Sequence, residues 1–301
     1  MTVIGRDQAS TLRSRVAQAL EDPSISGCQP HTLAVSGGKG GVGKSNISLN
    51  LATELASRGH RVLLMDTDFG LSNLDVLVGA SPPHDMGDVM AGRCSACEAL
   101  LTLSSGLSLL LGGNIGGSDS PHFDDVRSLL SALSRQMAEM DFVIIDTRAG
   151  LSDTVMGFLL AVDTVLMVST NEPTSILDTY RTVKRLSALG VRGNIGLVVN
   201  RTDEAGAERT YNSLSRMIRR FLKRDVRYMG WIPEDRRLQQ AVLRQTPLLE
   251  LHPGSRASAG IRRVAEAIVG DDTEPHRESP GFFHRLARHL LGNRVAAGDD
   301  D

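Results

Sequence analysis

The sequence contains no run of about 18 apolar residues, so it predicts no transmembrane helix. Its first ten residues, MTVIGRDQAS, also lack the apolar segment of a secretory signal peptide. Cysteine is scarce as well, because Cys28, Cys94 and Cys97 are too few for a disulfide framework. These absences together predict a cytosolic protein.

Neither sign of charge is in excess. The chain has 33 Lys and Arg against 35 Asp and Glu, a formal net charge of −2, so composition does not indicate a nucleic-acid-binding protein. Cys94 and Cys97 form a lone C-x-x-C, which we interpret as coincidental because structural zinc sites usually need four ligands. The 41% hydrophobic content is ample for a packed core, in one large α/β domain or two small ones.

Short apolar runs alternate with helix-length amphipathic segments along most of the chain. The runs lack strict polar alternation, which is typical of strands in a parallel sheet covered on both faces. We therefore predict an α/β fold for residues 32–269: a doubly wound, mostly parallel sheet with helices on both faces. Flanking it we expect an amphipathic segment and linker over 1–31, a linker over 270–281, and an amphipathic helix with an acidic tail over 282–301. The predicted strands cover residues 32–36, 61–65, 107–112, 141–146, 164–170, 195–200 and 226–232.

A phosphate-binding loop follows the first predicted strand. The pattern from Gly38 through Gly43 to Lys44 and Ser45 fits G-x-x-x-x-G-K-S, in the strand-loop-helix context that the motif requires. Glycines let backbone N–H groups turn toward phosphates, and the helix N-terminus adds positive potential. Lys44 would reach the β- and γ-phosphates of ATP, and Ser45 would hold Mg²⁺. The predicted phosphate-binding residues are Gly38, Lys39, Gly40, Gly41, Val42, Gly43, Lys44, Ser45 and Asn46.

The same loop carries a second cation, Lys39. One lysine suffices to neutralise the phosphates, so Lys39 would crowd Lys44 unless it points away from its own nucleotide. The pattern K-G-G-x-G-K-S resembles the deviant Walker A motif of the MinD/ParA family of P-loop ATPases. That resemblance implies that Lys39 crosses an ATP-dependent dimer interface and stabilises transition-state charge on the partner's phosphates, so that slow hydrolysis is coupled to dimerisation.

Three carboxylates follow predicted strands. Asp66 and Asp68 stand two apart at a strand end, so both leave on one side. Asp146 follows the apolar run FVII. By the family resemblance, Asp68 orients the attacking water, Asp66 lies in the magnesium shell, and Asp146 is the Walker B carboxylate. Each of them alone would be more simply read as a helix cap, but their order along the chain favours ATP and Mg²⁺.

Base recognition is predicted late in the chain by the same resemblance. VVNR and WIPED follow two strands and would flank the adenine, the asparagine through its side chain and the P-E-D turn largely through its backbone. Taken singly, each segment reads as an ordinary turn. The implied adenine contacts are Asn200, Arg201, Pro233, Glu234 and Asp235.

Arg148 departs from the family pattern. The second switch usually reads D-x-P-A-G or D-T-G-A-G, whereas this chain has DTRAG. A long cation there would tune hydrolysis, contact a partner protomer, or lie in solvent. A nearly inactive ATPase that serves as a scaffold is one alternative that this residue leaves open.

The N-terminal segment resembles the D-Q-A-x-x-L-R motif of the FlhG (FleN) branch, whose members control flagellar number and placement. TNEPTSILDTY at 170–180 resembles that branch too. The resemblance implies contact with an FlhF-type GTPase and stimulation of its turnover; flagellar switch proteins and a transcription factor are further candidate partners. A helix that merely packs on the domain is the alternative. The implied contact residues are Asp7, Gln8, Leu12 and Arg13.

The C-terminal segment FFHRLARHLLG places its apolar residues on one half of a helical wheel and its cations on the other. Such a helix is typical of reversible binding at the inner face of the cytoplasmic membrane, as in MinD-type targeting helices. The alternative is a helix docked on the protein's own core. The residues predicted to meet the membrane are Phe282, Phe283, Leu286, Leu290 and Leu291.

Features of the sequence raise three other functions. The basic segment RMIRRFLKRDVR could hold DNA, but Phe221 and its apolar neighbours predict a core helix with a solvated basic side, so nucleic acid is disfavoured. An iron–sulfur carrier ATPase would place cysteines after the switch or near the C-terminus, and none follows Cys97. A MinD/ParA-type ATPase that positions the division site or other cargo remains the main alternative.

Overall fold

The computed structural model describes residues 29–69, 73–113 and 136–270, together with single positions 129, 132, 133, 281, 282, 285, 286 and 289. Within these residues, eight strands are β1 His31–Ser36, β2 Val62–Asp66, β3 Leu100–Thr102, β4 Ser108–Leu110, β5 Phe142–Asp146, β6 Thr164–Ser169, β7 Asn194–Asn200 and β8 Arg227–Ile232. They form one sheet in the order β3-β4-β2-β5-β1-β6-β7-β8. The predicted doubly wound α/β fold is confirmed.

All neighbouring strands pair in parallel except β3 and β4, which form an antiparallel hairpin at one edge. Strand β3 was not predicted, because a three-residue strand leaves too short a pattern to distinguish from a helix end. The hairpin closes through a turn in which Leu103 N–H donates to the Leu107 carbonyl at 2.9 Å and Gly106 has φ of +80°. An antiparallel edge strand on a parallel sheet is common in this fold class.

Helices cover both faces of the sheet, since strand residues alternate in direction. Leu33 and Val35 point into one core with helices α1 and α10, and Ala34 points into the other core with α5, α6 and α7. The helices are α1 Lys44–Ser57, α2 Leu74–Val78, α3 Met86–Met90, α4 Ala96–Ala99, α5 Asp153–Ala161, α6 Pro173–Ala188, α7 Glu204–Leu222, α8 Arg236–Leu243, α9 Leu248–Leu251 and α10 Arg256–Val269.

The two ends of the parallel strands define two edges with different contents. We call the edge where the strands end the carboxyl edge, and the edge where they begin the amino edge. The glycine loop, Asp66, Asp146 and Asn200 all follow strand ends, so they meet at the carboxyl edge, where open α/β sheets bind their ligands. The helices that return from this edge, α6 and α7 among them, finish at the amino edge.

The C-terminal segment docks on the core in this structure. Phe282 is 3% exposed and Leu286 is fully buried, both in the cluster that packs under α5, α6 and α7. The Arg285 guanidinium donates to the Ala161 carbonyl and to Asp163, both at 2.6 Å. In this conformation Phe282 and Leu286 pack on the core, as the docked alternative predicts, and the membrane contact predicted for them stays a prediction. Phe283, Leu290 and Leu291 lie outside the described residues.

No helix among the described residues combines the length and apolar character needed to cross a membrane. Helix α7 requires a correction. Leu214 and Ile218 are buried as its pattern predicted, but Phe221 is 63% exposed. The helix ends at Leu222, which is partly buried against the core, and Lys223 adopts φ of +52°.

Candidate nucleotide site

The glycine loop has the backbone that phosphate binding requires. Gly41 and Gly43 have φ of +78° and +99°, left-handed values that favour glycine. A side chain added at Gly40 or Gly41 would meet no atom within 4 Å, so this part of the loop is open to solvent. Helix α1 begins directly after the loop at Lys44, and its free N–H groups and dipole favour an anion there.

Asn200 braces this loop from the end of β7. Its amide nitrogen donates to the Val42 carbonyl at 2.8 Å, and its oxygen accepts from the Arg201 backbone at 2.9 Å. A Cβ on Gly43 would stand 2.5 Å from the same amide nitrogen, so only glycine fits against it. The side chain therefore positions the phosphate loop, a role that no sequence pattern predicted. The adenine contact proposed for Asn200 stays a prediction.

Asp66 and Asp146 lie opposite each other in the register of β2 and β5. They are 1% and 3% exposed. Burial and the neighbouring Asp66 carboxylate raise the pKa of Asp146 to about 7, against hydrogen bonds from Ser45 and Ser48. The Ser48 hydroxyl donates at 2.9 Å, one helical turn after Ser45, which is why both reach the same carboxylate.

Lys44 projects toward these carboxylates and is 9% exposed. Burial lowers the pKa of its ammonium group, while the charges of Asp146 and Asp68 act in the opposite direction. The lysine is thus held among acids at the floor of the loop. Lys44 therefore has acidic neighbours, Asp146 and Asp68, before any polyanionic ligand binds.

Asp68 stands at the rim of this cluster and pairs with Arg148. The Arg148 Nε lies 3.6 Å from Asp68 Oδ1, too long for a hydrogen bond but close enough for an ion pair. Burial raises the pKa of Asp68, and the positive charges of Arg148 and Lys44 oppose that rise. The sequence left open whether Arg148 tunes hydrolysis, contacts a partner protomer or lies in solvent. The structure shows it paired with Asp68 of its own chain, the carboxylate predicted to orient the attacking water.

Lys39 points outward from the loop. Its ammonium group contacts Glu172 at 3.1 Å and the Thr174 hydroxyl at 3.5 Å, and its side chain is 45% exposed. Glu172 is the N-cap residue of α6, which Pro173 opens. The lysine is therefore separate from the buried carboxylates and accessible from outside, as its predicted role in a partner's site requires.

The P-E-D turn follows β8 as predicted. Pro233 is buried and Glu234 exposed. The Asp235 carboxylate accepts from the backbone N–H of Arg237 at 3.0 Å and of Ala257 at 3.3 Å, so it caps α8 and ties it to α10. This structural role explains Asp235 without a ligand, and the backbone contact to adenine stays a prediction.

The donor set around Asp146 fits Mg²⁺. The two buried carboxylates and the Ser45 hydroxyl supply hard oxygen ligands, and a divalent cation would relieve the repulsion that raises the pKa of Asp146. Within the described part of the chain, no group of three or more His, Cys, Asp or Glu side chains could hold a metal by itself. That agrees with Mg²⁺, which binds through one or two carboxylates and completes its shell with water and phosphate oxygens.

Several site residues were not predicted. Ser48, Glu172, Thr174 and the bracing role of Asn200 emerge only from the fold; the i, i+3 spacing from Ser45 was the one available signal for Ser48. Cys97 is exposed and accepts a hydrogen bond from the Gln136 amide at 2.8 Å, whereas Cys94 is partly buried against the core. Asp7, Gln8, Leu12 and Arg13 lie outside the described residues.

Comparison with known proteins agrees with this geometry. Residues 33–248 match the family model described as the CobQ/CobB/MinD/ParA nucleotide-binding domain. The chain is 35% identical over 265 residues to a protein named antiactivator FleN from Pseudomonas aeruginosa, covering 85% of this chain and 93% of that protein. It is 30% identical over 273 residues to the flagellum site-determining protein YlxH of Helicobacter pylori, covering 86% and 90% respectively.

Among solved structures, the fold is similar to the MinC:MinD cell division protein complex of Aquifex aeolicus. The TM-score is 0.66 at 28% identity, over 81% of this chain and 98% of that one.

Proposed function

Because the chain belongs to the CobQ/CobB/MinD/ParA family of nucleotide-binding domains, we propose that it is an ATP-switched ATPase of the FlhG (FleN) type that regulates flagellar number and placement. The flagellar assignment is supported by the names of the two relatives, which both concern flagella or their regulators. The ATPase assignment is supported by the glycine loop and the carboxylates gathered beside it.

Different side chains at the carboxyl edge would bind the phosphates, hold Mg²⁺ and orient the attacking water. The N–H groups at the start of α1 and the Lys44 ammonium bind the phosphates, and the Ser45 hydroxyl with Asp66 and Asp146 would hold Mg²⁺. Bound Mg²⁺ supplies neutralisation of charge on the phosphate oxygens. Asp68, at the rim, would orient the attacking water. These groups would hold the attacking water in line with the γ-phosphate and would stabilise the charge that develops there. Such positioning and preorganised charge are the main source of catalysis in this reaction class.

The single observation that carries the dimeric mechanism is the position of Lys39. Its exposed ammonium group is held at the outer rim by Glu172, while Lys44 occupies the floor. We propose that two ATP-bound protomers meet at this rim, each Lys39 leaving Glu172 for the partner's phosphates. With ADP the protein would be a monomer, because the γ-phosphate that attracts the partner's lysine is gone.

ATP turnover as a function of protein concentration tests this mechanism. We expect specific activity to rise with concentration for the native chain and to be low and independent of concentration for Lys39→Ala. A native rate that does not change with concentration, with Lys39→Ala equally active, would instead indicate a monomeric enzyme or a scaffold. Asp68→Asn is the control that should lose turnover while still binding ATP.

We propose further that residues 7–13 stimulate an FlhF-type GTPase. A peptide of residues 1–20 should accelerate GTP hydrolysis by that GTPase, and the same peptide with Gln8→Ala and Leu12→Ala should not. If neither peptide has an effect, that result favours the alternative of a MinD-type positioning ATPase. The similarity to the Aquifex aeolicus MinD structure favours the same alternative.

Membrane association through the C-terminal segment is part of the same proposal. Because Phe282 and Leu286 are buried here, binding at the inner face of the cytoplasmic membrane would require this segment to leave the core. Each large apolar side chain transferred into lipid recovers about 1.5–3 kcal/mol, which offsets what it loses on undocking. Two segments in one dimer would bind more strongly than one, which couples membrane residence to ATP.

A further inference from the structure

The C-terminal end of α7 carries a group of exposed cations and one exposed phenyl ring. Arg220 lies over that ring, with its guanidinium carbon 5.3 Å from the ring centroid of Phe221, which is 63% exposed. Asp225 pairs with Arg219 at 2.7 Å and offsets one charge of the group. We call this surface the α7 tip; its exposed members are Arg216, Arg219, Arg220, Phe221 and Lys223.

Packing of the domain explains one side of α7 and leaves the α7 tip unexplained. Leu214 and Ile218 fill the core, so the helix would be equally well anchored with a polar residue in place of Phe221. An aromatic ring among cations at a helix end is, however, the composition of surfaces that bind at a membrane interface, where the ring enters the acyl boundary and the cations meet phosphates.

The α7 tip lies at the same edge of the sheet as the docked C-terminal segment. Just beyond α7, the Arg224 guanidinium donates to the carbonyls of Val191 and Gly193, at 2.9 and 2.8 Å. Gly193 packs so closely on the backbone of Asp163 that a Cβ would stand 2.8 Å from its carbonyl oxygen. Asp163 in turn binds Arg285. A short chain of contacts therefore joins both features at the amino edge, away from the nucleotide site.

We propose that the α7 tip is a docking surface for anionic lipid headgroups and contacts the membrane independently of the C-terminal segment. The proposal rests on the proposed function only in placing a membrane at the amino edge. The α7 tip is exposed while Phe282 and Leu286 are still buried, so it can make the first contact and hold the C-terminal segment near the lipid. Duplex DNA would satisfy the cations but leave the phenyl ring in water, and the ring favours lipid.

Sedimentation of the full-length chain with vesicles tests this. The vesicles would contain phosphatidylcholine alone or with about 30% phosphatidylglycerol, at low and high salt. A cation near an anionic surface contributes about fivefold to partitioning, so Arg220→Glu with Lys223→Glu should weaken binding by about 25-fold or more. Phe221→Ser should weaken it severalfold at unchanged charge. High salt should weaken the native chain, and vesicles of phosphatidylcholine alone should not bind it.

The matched control changes the same charge elsewhere. Arg244 and Arg256 are exposed and lie toward the carboxyl edge: Gln245 contacts α2 through the Val76 carbonyl, and α10 starts against Asp235. Arg244→Glu with Arg256→Glu should bind anionic vesicles within about twofold of the native chain. If both double variants lost vesicle binding equally, the loss would follow from the change in net charge and not from its position, which would overturn the proposal.

A third variant separates this proposal from that of the C-terminal segment. Leu290→Ser with Leu291→Ser tests the segment alone. If only this variant loses vesicle binding, the α7 tip proposal is overturned; if only the Arg220 and Lys223 variant loses it, the tip is supported and the segment's membrane role fails. ATP turnover without vesicles should be native in all variants. Binding of a short DNA duplex that depends on Arg220 and Lys223, with vesicle binding unchanged, would also overturn the lipid assignment.

Discussion

Arg148 and Asp68 form an ion pair across the ends of β5 and β2, with 3.6 Å between Nε and Oδ1. Apart from that pair, Asp68 Oδ1 is buried without a hydrogen-bond partner in the described structure. The carboxylate proposed to orient the attacking water is thus held by an arginine at a position where the family pattern has a small residue or proline. We expect the ion pair to restrain the Asp68 carboxylate until the phosphates of ATP attract Arg148 and the attacking water binds Asp68.

Arg148→Ala should therefore raise ATP turnover about two- to fivefold at saturating ATP, the worth of a half-exposed ion pair. Arg148→Lys, which keeps the charge, should stay near the native rate. Steady-state turnover of the two variants measures this. A tenfold or larger loss in Arg148→Ala would show instead that the guanidinium stabilises charge in the transition state.

Glu172→Gln should make dimerisation easier. The substitution removes the carboxylate that holds Lys39 at 3.1 Å, so Lys39 no longer has to leave an ion pair to reach a partner's phosphates. Because the pair is exposed, we expect the protein concentration at half-maximal turnover to fall by about two- to fivefold.

The control for that measurement is Glu139→Gln, an exposed carboxylate just before β5, which should leave the concentration dependence unchanged. Added salt should weaken the native Lys39 pair and bring the native chain toward Glu172→Gln. A higher half-maximal concentration in Glu172→Gln would mean that Glu172 stabilises the dimer.

Asp146 should make the nucleotide-free protein less stable as pH rises. Its pKa is about 7 in the folded chain and near 3.8 when unfolded, so the folded state binds more protons between these values. The stabilising effect of its proton is complete below about pH 4 and is lost as pH rises through about 7. Asp146→Asn should accordingly increase the free energy of unfolding at pH 8 with EDTA present by up to about 4 kcal/mol, and change it little at pH 4. The melting temperature should rise at pH 8 and stay nearly unchanged at pH 4.

Thermal melting at the two pH values checks this, with Mg²⁺ and ADP as a third condition. Since bound Mg²⁺ stabilises the charged carboxylates, the advantage of Asp146→Asn should vanish or reverse there. An equal shift at pH 4 and pH 8 would contradict the titration and point to a packing effect of the amide.

The glycine loop and its carboxylates were predictable because their chemistry fixes residue types at fixed spacings after strands. Gly43, Lys44 and Asp146 are such cases. Ser48 and Glu172 were not, since a serine one turn into a helix or a glutamate before a proline has many ordinary uses. Only the packing of β5 and α6 against the loop brings them to Asp146 and Lys39.

Amphipathic patterns were less informative about what covers each apolar face. Leu286 and Phe221 lie in similar mixtures of aromatic, leucine and arginine residues, yet the first is buried and the second exposed. Helical periodicity reports that a face is apolar, and not whether protein or lipid meets it. That choice depends on what the rest of the fold packs against each face, which no local pattern contains.

Arg285→Ala should loosen the C-terminal segment. It removes hydrogen bonds to the Ala161 carbonyl and to Asp163, both 2.6 Å long and largely buried. Losing them should favour the undocked segment by about tenfold, since a hydrogen bond to a charged group contributes about 1.5–3 kcal/mol and Asp163 keeps its bonds to Thr32. We expect faster proteolytic cleavage before residue 282 and stronger vesicle binding without ATP.

Arg262→Ala is the matched control, because Arg262 also bonds to a carbonyl, that of Pro253 at 2.7 Å, and to a carboxylate, Glu54 at 3.3 Å, on the other face of the sheet. It should lower stability modestly without changing cleavage near the C-terminus. Faster cleavage in Arg285→Ala with no gain in vesicle binding would separate docking from membrane association. In that case the exposed apolar face of Phe282 and Leu286 would bind another protein and not lipid, because undocking had already made it accessible to the vesicles.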